Sequence, residues 1–234
     1  MIKMSLFQKK YPSNNRLPKL HDSNILADRA VVQNGMVKWT NRLILINTPL
    51  FADDVVTDPT VDQIVLLNDR AKTDSLSGDN PAIAQRIDRV LNNATWENTV
   101  DTSLFTPIAQ LTQTKVTNLF KGLSTIDFID VEHDTGSGKV TLQIPDYADP
   151  VHNYKVIGTF DGQPNDNRYG NVVKRFHKVA LKEVLNFVAV LQRNNDTELQ
   201  FYLPESDYEP LTIIGNDRTI IKLMPVRVSK RVSK

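Results

Sequence analysis

The 234 residues carry 28 Lys and Arg against 27 Asp and Glu, a formal net charge of +1, with 40% hydrophobic and 24% charged residues. That balance excludes a disordered or fibrous chain, and any positive charge meant for nucleic acid has to be gathered on one surface. With no cysteine there is no disulfide framework, thiolate nucleophile or Cys-ligated zinc, and no apolar run approaches the ~18 residues that a membrane-crossing helix needs.

The length holds one large domain or two of roughly 100–130 residues. Met1 to Tyr11 carries Lys3, Lys9 and Lys10 but neither an apolar stretch of signal-peptide length nor a small-residue cleavage site, so a cytoplasmic location is expected. Residues 1–20, with Pro12 and Pro18, read as an arm. A short helix is predicted over Asp22–Val32. Gly35 breaks the pattern, and Met36–Trp39, a Thr40-Asn41 turn and Leu43–Asn47 read as a hairpin. Asp62–Leu67 is a strand candidate, and Asp53, Asp54, Asp58 and Asp69 surround it with negative charge. Asn80-Pro81 opens a helix to about Leu91, pairing a capping side chain with a ring whose φ suits the first turn. Its apolar positions Ile83, Ile87, Val90 and Leu91 share a side. Asn92 to Thr106 is polar and aperiodic, an interdomain connector that divides the chain into 1–104 and 105–234.

Thr106-Pro107 opens a predicted helix to Lys121, with Ile108, Leu111, Val116, Leu119 and Phe120 facing a core and Gly122 ending it. A strand over Ser124–Val131, a turn at Gly136-Ser137-Gly138 and a strand over Lys139–Ile144, with Val140, Leu142 and Ile144 on one face, form a hairpin. Tyr154–Phe160 is a further strand ending in an Asp161-Gly162 turn. Then the plan repeats: a helix over Lys178–Gln192 and strands over Glu198–Leu203, Leu211–Ile214 and Ile220–Val226. The fold class is therefore α+β, with tandem helix-plus-antiparallel-sheet units. The second long helix sets Leu181, Val184, Leu185, Val188 and Leu191 on one side and a narrow polar stripe, Lys178, Lys182, Asn186 and Arg193, on another. A helix laid across a phosphate backbone needs such a stripe, though a solvated face carries the same charges.

Catalytic motifs are missing. His21, His133, His152 and His177 include no pair at metal-ligand spacing, and Glu132-His133-Asp134 reads as a polar strand end. Gly136-Ser137-Gly138-Lys139 lacks the G-x-x-x-x-G-K-[ST] spacing and precedes a strand where a phosphate loop precedes a helix. There is no G-x-S-x-G elbow. The expectation is a non-enzyme without metal or cofactor.

Arg175-Phe176-His177-Lys178 through Leu185, Thr197–Phe201, Leu211–Ile213 and above all Met224-Pro225-Val226-Arg227, an apolar-Met-Pro-apolar-Arg ending, resemble the last domain of a bacterial DNA sliding clamp. Leu111–Leu123, Ile126–Val131 and Lys139–Ile144 resemble the first helix and hairpin of that domain, and Leu26–Asn47 is similar in layout to the opening of the two-domain clamps of tailed phages. The resemblance implies a ring-forming sliding-clamp fold, a homotrimer that encircles duplex DNA without sequence readout and tethers a DNA polymerase after an ATP-dependent clamp loader opens it. For a phage-encoded chain the compartment would be the host cytoplasm. DNA-facing residues would be Lys121, Lys178, Lys182 and Arg193, with Lys115, Arg86 and Arg89, while Leu223, Met224, Pro225 and Val226 would line a pocket for partner peptides. The alternative is a phage virion structural or assembly protein with β-rich domains and an extended N-terminal arm.

Overall fold

A computed structural model describes residues 29–33, 35–40, 43–49, 63–66, 73–75, 105–107, 111–145, 154–162, 164, 170–195, 198–204 and 208–226. The chain divides into two compact units, Met1–Thr99 with Ile214–Ile221, and Val100–Ile213 with Lys222–Lys234.

In the first unit, β1 (Arg29–Gln33), β2 (Met36–Thr40), β3 (Ile44–Pro49), β4 (Gln63–Leu66) and β5 (Thr73–Ser75) are antiparallel in the order β5-β4-β1-β2-β3. The β2–β3 hairpin arises where expected. Val37, Trp39, Ile44, Ile46 and Thr48 are buried at alternate positions, the period-2 signature of a sheet with one face in a core, and Thr40 is buried beside the turn. Thr40 Oγ1 donates to the Ile44 carbonyl at 2.9 Å across the turn. The hairpin turn after Ile214–Gly215 also belongs to this unit, and its Thr219 hydroxyl lies 2.9 Å from that of Thr48. The predicted helix over Asp22–Val32 is corrected in its last part, where Arg29–Gln33 is β1 and pairs with both β2 and β4. The β-branched Val31 and Val32 suit a pleated sheet, and pairing with partners on both sides overrides a weak helical pattern. Residues 22–28 of that prediction and the predicted Asn80–Leu91 helix lie outside the described residues.

The second unit runs β6 (Phe105–Pro107), α1 (Gln113–Leu119), β7 (Phe128–Asp134), β8 (Val140–Pro145), β9 (Tyr154–Phe160), β10 (Asn171–His177), α2 (Lys178–Asn195) and β11 (Leu199–Tyr202), followed by the start of β12 (Leu211–Gly215) and the end of β13 (Ile220–Leu223). Strands β10-β7-β8-β9 form a four-stranded antiparallel sheet, and β6 pairs with β11. The helix expected from Thr106 begins only at Gln113. Thr106 and Pro107 are spent on β6, and Thr112 caps the helix by accepting the Lys115 amide at 3.2 Å. The strand expected from Ser124 begins at Phe128, because Leu123–Ile126 is closed into turns by the bonds Leu123 N to Phe120 O (3.4 Å) and Ile126 N to Leu123 O (3.2 Å). Alternation through Ile144 also fails. Gln143 and Pro145 are buried while Ile144 is half-buried, and the register skips one residue of β9, Leu142 facing Gly158 and Gln143 facing Val156. Such a bulge adds local twist.

Helix α2 is the spine of this unit. Ala180, Leu181, Val184, Leu185, Phe187, Val188, Ala189 and Leu191 are all buried, so the apolar surface wraps most of the helix and leaves only a strip. Leu181 and Leu185 line an apolar cavity together with Val131, Leu142, Phe160 and Leu203. Helix α1 sits close over β9, where a Cβ on Gly158 would collide with a Leu119 methyl. Because the core already holds a cavity beside Leu185, Leu185→Ala would enlarge it with little collapse. The expected loss is about 2–5 kcal/mol of unfolding free energy, read as a lower urea midpoint at unchanged slope.

Candidate functional site

Hydrogen bonds at two ends fix how the helices of the second unit lie. At one end, the Leu111 amide donates to Gln192 Oε1 at 2.8 Å, and Thr112–Thr114 share a groove with Ala189, Gln192 and Arg193. At the other, the Lys178 amide donates to the Asp127 carbonyl at 2.8 Å, while its ammonium donates to the carbonyls of Leu123 and Ser124. The start of α1 thus lies by the end of α2, and the turn after α1 lies by the start of α2. Antiparallel neighbours of this kind bring the expected cations into two groups. Lys121, exposed, joins Lys178 and Lys182, both half-buried, at one end; Lys115 and Arg193, both exposed, stand at the other. Between them α2 presents Lys182, Asn186, Val190 and Arg193, with Glu183 the acidic member of the helix. Arg86 and Arg89 lie outside the described residues.

The terminal segment leaves the sheet at Leu223, earlier than the expected Val226, because Pro225 has no N–H to give to a ladder. Leu223 is 1% exposed and anchors the strand in the core, whereas Met224 is 38% exposed and Pro225 and Val226 are half-buried. The Val226 amide donates to the Arg175 carbonyl at 2.7 Å, which seats Met224-Pro225-Val226 beside the end of β10. There Arg175 makes a bidentate pair with its cross-strand partner Asp130 (2.7 and 2.8 Å), and His177 packs on Phe128 with ring centroids 5.0 Å apart. Burial pushes the His177 pKa below its ordinary value and outweighs the opposing pull of Asp127. Burial likewise lowers the pKa of Lys222, next to this segment in sequence. Nothing in the composition pointed to Arg175 and its carbonyl. The strand that carries it has no clean alternation, since Lys174, 3% exposed, occupies an inward position and donates to the Glu209 carbonyl at 2.7 Å.

The glycine-rich turn is closed to phosphate by its own sequence. Asp134 accepts from the Gly136 amide (3.0 Å), the Ser137 amide (3.4 Å) and Ser137 Oγ (2.6 Å), and the Gly138 amide donates to the Asp134 carbonyl at 2.7 Å. These bonds, that of the Ser137 hydroxyl foremost, hold the Asp134 carboxyl below its ordinary pKa. A loop whose amides already serve a carboxylate has none left for a phosphate. His133, expected at a polar strand end, is instead fully buried. Among the described residues no cluster of three or more His, Asp or Glu could hold a metal ion, and no helix is long and apolar enough to cross a membrane.

No family model and no curated protein matches the sequence. Solved structures do match: the DNA polymerase sliding clamp of Pseudomonas aeruginosa over 97% of this chain, at 15% identity and a TM-score of 0.51. The chain has the sliding-clamp fold. The DNA polymerase sliding clamp of Bacillus subtilis aligns over 97% of the chain at 11% identity and a TM-score of 0.52. The Helicobacter pylori beta clamp, solved with a DNA ligase peptide bound, aligns over 96% at 12% identity and a TM-score of 0.51. The chain spans 65%, 64% and 63% of the lengths of these three clamps, respectively.

Proposed function

We propose that this chain is a DNA polymerase processivity factor, a homo-oligomeric ring around duplex DNA with no catalytic chemistry of its own. The observation that carries the reading is the agreement of the sliding-clamp fold over 97% of the chain with a helix pair whose outward strip bears Lys121, Lys182, Arg193 and Lys115. Cations that touch phosphate through mobile side chains hold a duplex without reading its bases, so the protein can travel along it. Arg86 and Arg89 complete the proposed set of DNA-facing residues. Residues 1–104 and 105–234 would each be a clamp domain, and three copies would close the ring, as in the two-domain clamps that the sequence resembles.

Closure needs a head-to-tail contact between copies. Strand β9 supports one. It is the last strand of its sheet among the described residues, and Tyr154 and Val156 on it are 49% and 51% exposed. An edge of this kind pairs with a strand of another chain unless it is guarded. An ATP-dependent loader would open the ring, and the polymerase would dock a short apolar peptide on Met224, Pro225 and Val226, with Leu223 beneath them as the buried footing. In a phage-infected cell the setting would be the host cytoplasm.

Lys121→Ala and Lys182→Ala are expected to lower the slope of log K against log salt for duplex binding by about 0.9 for each phosphate contact removed. An unchanged slope in the double variant, measured by anisotropy across a salt series, speaks against the helix pair as the DNA surface. Met224→Asp is expected to leave the thermal midpoint in place and to weaken polymerase docking about tenfold or more, since one apolar anchor contributes roughly 1.5–3 kcal/mol. Shorter products on a primed single-stranded circle would register that loss, and products of full length would remove Met224 from the docking surface.

A further inference from the structure

Lys178 differs from the other cations of the helix pair in what its ammonium already holds. Lys121 is exposed, whereas Lys178 is half-buried and donates to the carbonyls of Leu123 and Ser124, with 3.3 Å to the latter. Its amide takes the Asp127 carbonyl at 2.8 Å. The middle and the far end of the turn between α1 and β7 are thereby fastened to the first residue of α2. The buried side chains of Phe120 and Leu123 also seat that turn, but its backbone bonds are long. Gly122 adopts φ +76°, and the backbone bonds from Leu123 and Ile126 are 3.4 and 3.2 Å long. Lys121 sits at its beginning.

An ammonium has three donors, and two of those of Lys178 serve carbonyls inside the protein. Turning the side chain toward a phosphate would leave the part-buried Leu123 carbonyl, and the exposed one of Ser124, without their charged donor, a cost that the exposed Lys121 does not meet. We infer that Lys178 is a positioning residue, which holds the turn of residues 120–127 against α2 and so sets where Lys121 stands, and that it makes no phosphate contact of its own. The inference rests on the DNA-binding reading above for its second half only.

The full-length chain and a fluorescent duplex of random sequence suffice as probes. Lys178→Met is expected to raise the dissociation constant several-fold in the otherwise native chain, and to reduce hydrogen-exchange protection of the Leu123 and Ile126 amides by about tenfold. In a chain already carrying Lys115→Ala and Lys121→Ala there is no cation left on α1 or its turn to misplace. There Lys178→Met should change neither the dissociation constant nor the salt slope. A fall in slope of about 0.9 in that background means a direct phosphate contact and overturns the inference. Unaltered protection overturns it as well, and so does an unaltered dissociation constant in the native background. If the native chain shows no salt-dependent binding at all, the processivity reading fails, and the exchange pattern by itself still decides whether Lys178 ties the turn.

Discussion

The burial of α2 on most of its circumference is the constraint on which the second unit depends. Eight apolar side chains between Ala180 and Leu191 are withdrawn from water, and each large one contributes on the order of 1.5–3 kcal/mol. A helix held that way cannot roll. Its polar residues are therefore confined to a strip, and the strip is as fixed as the core beneath it. A surface that meets a uniform polymer by charge alone requires this of its cations: fixed placement of the backbone with freedom only at the tips of the side chains.

Two further features follow from the same spine. Because α2 begins directly at the end of β10, Lys178 arrives beside the turn that follows α1, and the two helices are tied at both ends, by Lys178 and by Gln192. And because β10 is, among the described residues, the edge strand of its sheet, the Arg175 carbonyl is available to the Val226 amide, which holds the Met224-Pro225 segment beside β10 and leaves the methionine at the surface. The proline is the reason that a strand end becomes an exposed apolar step. The proposed DNA-facing and partner-facing surfaces thus issue from opposite ends of one strand-to-helix junction, the first from the helix and the second from the strand.

Much of this was legible in the sequence wherever partners are close along the chain. The β2–β3 hairpin, the β7–β8 turn and α2 declare themselves through period-2 or helical spacing within a dozen residues or so. The Met-Pro-apolar-Arg ending, together with the helix and strands before it, carries the resemblance to the clamp fold. Elements whose pairing partner is distant were not legible. The pattern over Asp22–Val32 reads as helix where Arg29–Gln33 is a strand, Thr106-Pro107 reads as a helix start where Phe105–Pro107 is a strand, and the strand Asn171–His177 is hidden by an inward lysine in its alternation of Val172, Lys174 and Phe176. That lysine is tolerated because it reaches a backbone carbonyl, which no local pattern reports. At the candidate site the sequence supplied the cations but not their company. Lys121, Lys178 and Lys182 look equivalent as letters, and only the carbonyls of Leu123 and Ser124 set Lys178 apart.

A solvent-exposed cationic strip on a rigid helix becomes a processivity device only if copies of the chain close around a duplex. Electron microscopy of the full-length protein at a concentration above its assembly midpoint tests that most directly. The account predicts closed rings of three copies with a central hole wide enough for double-stranded DNA and the α1–α2 pair lining it. Particles that remain single, or rings in which those helices lie on the outer rim, would contradict it.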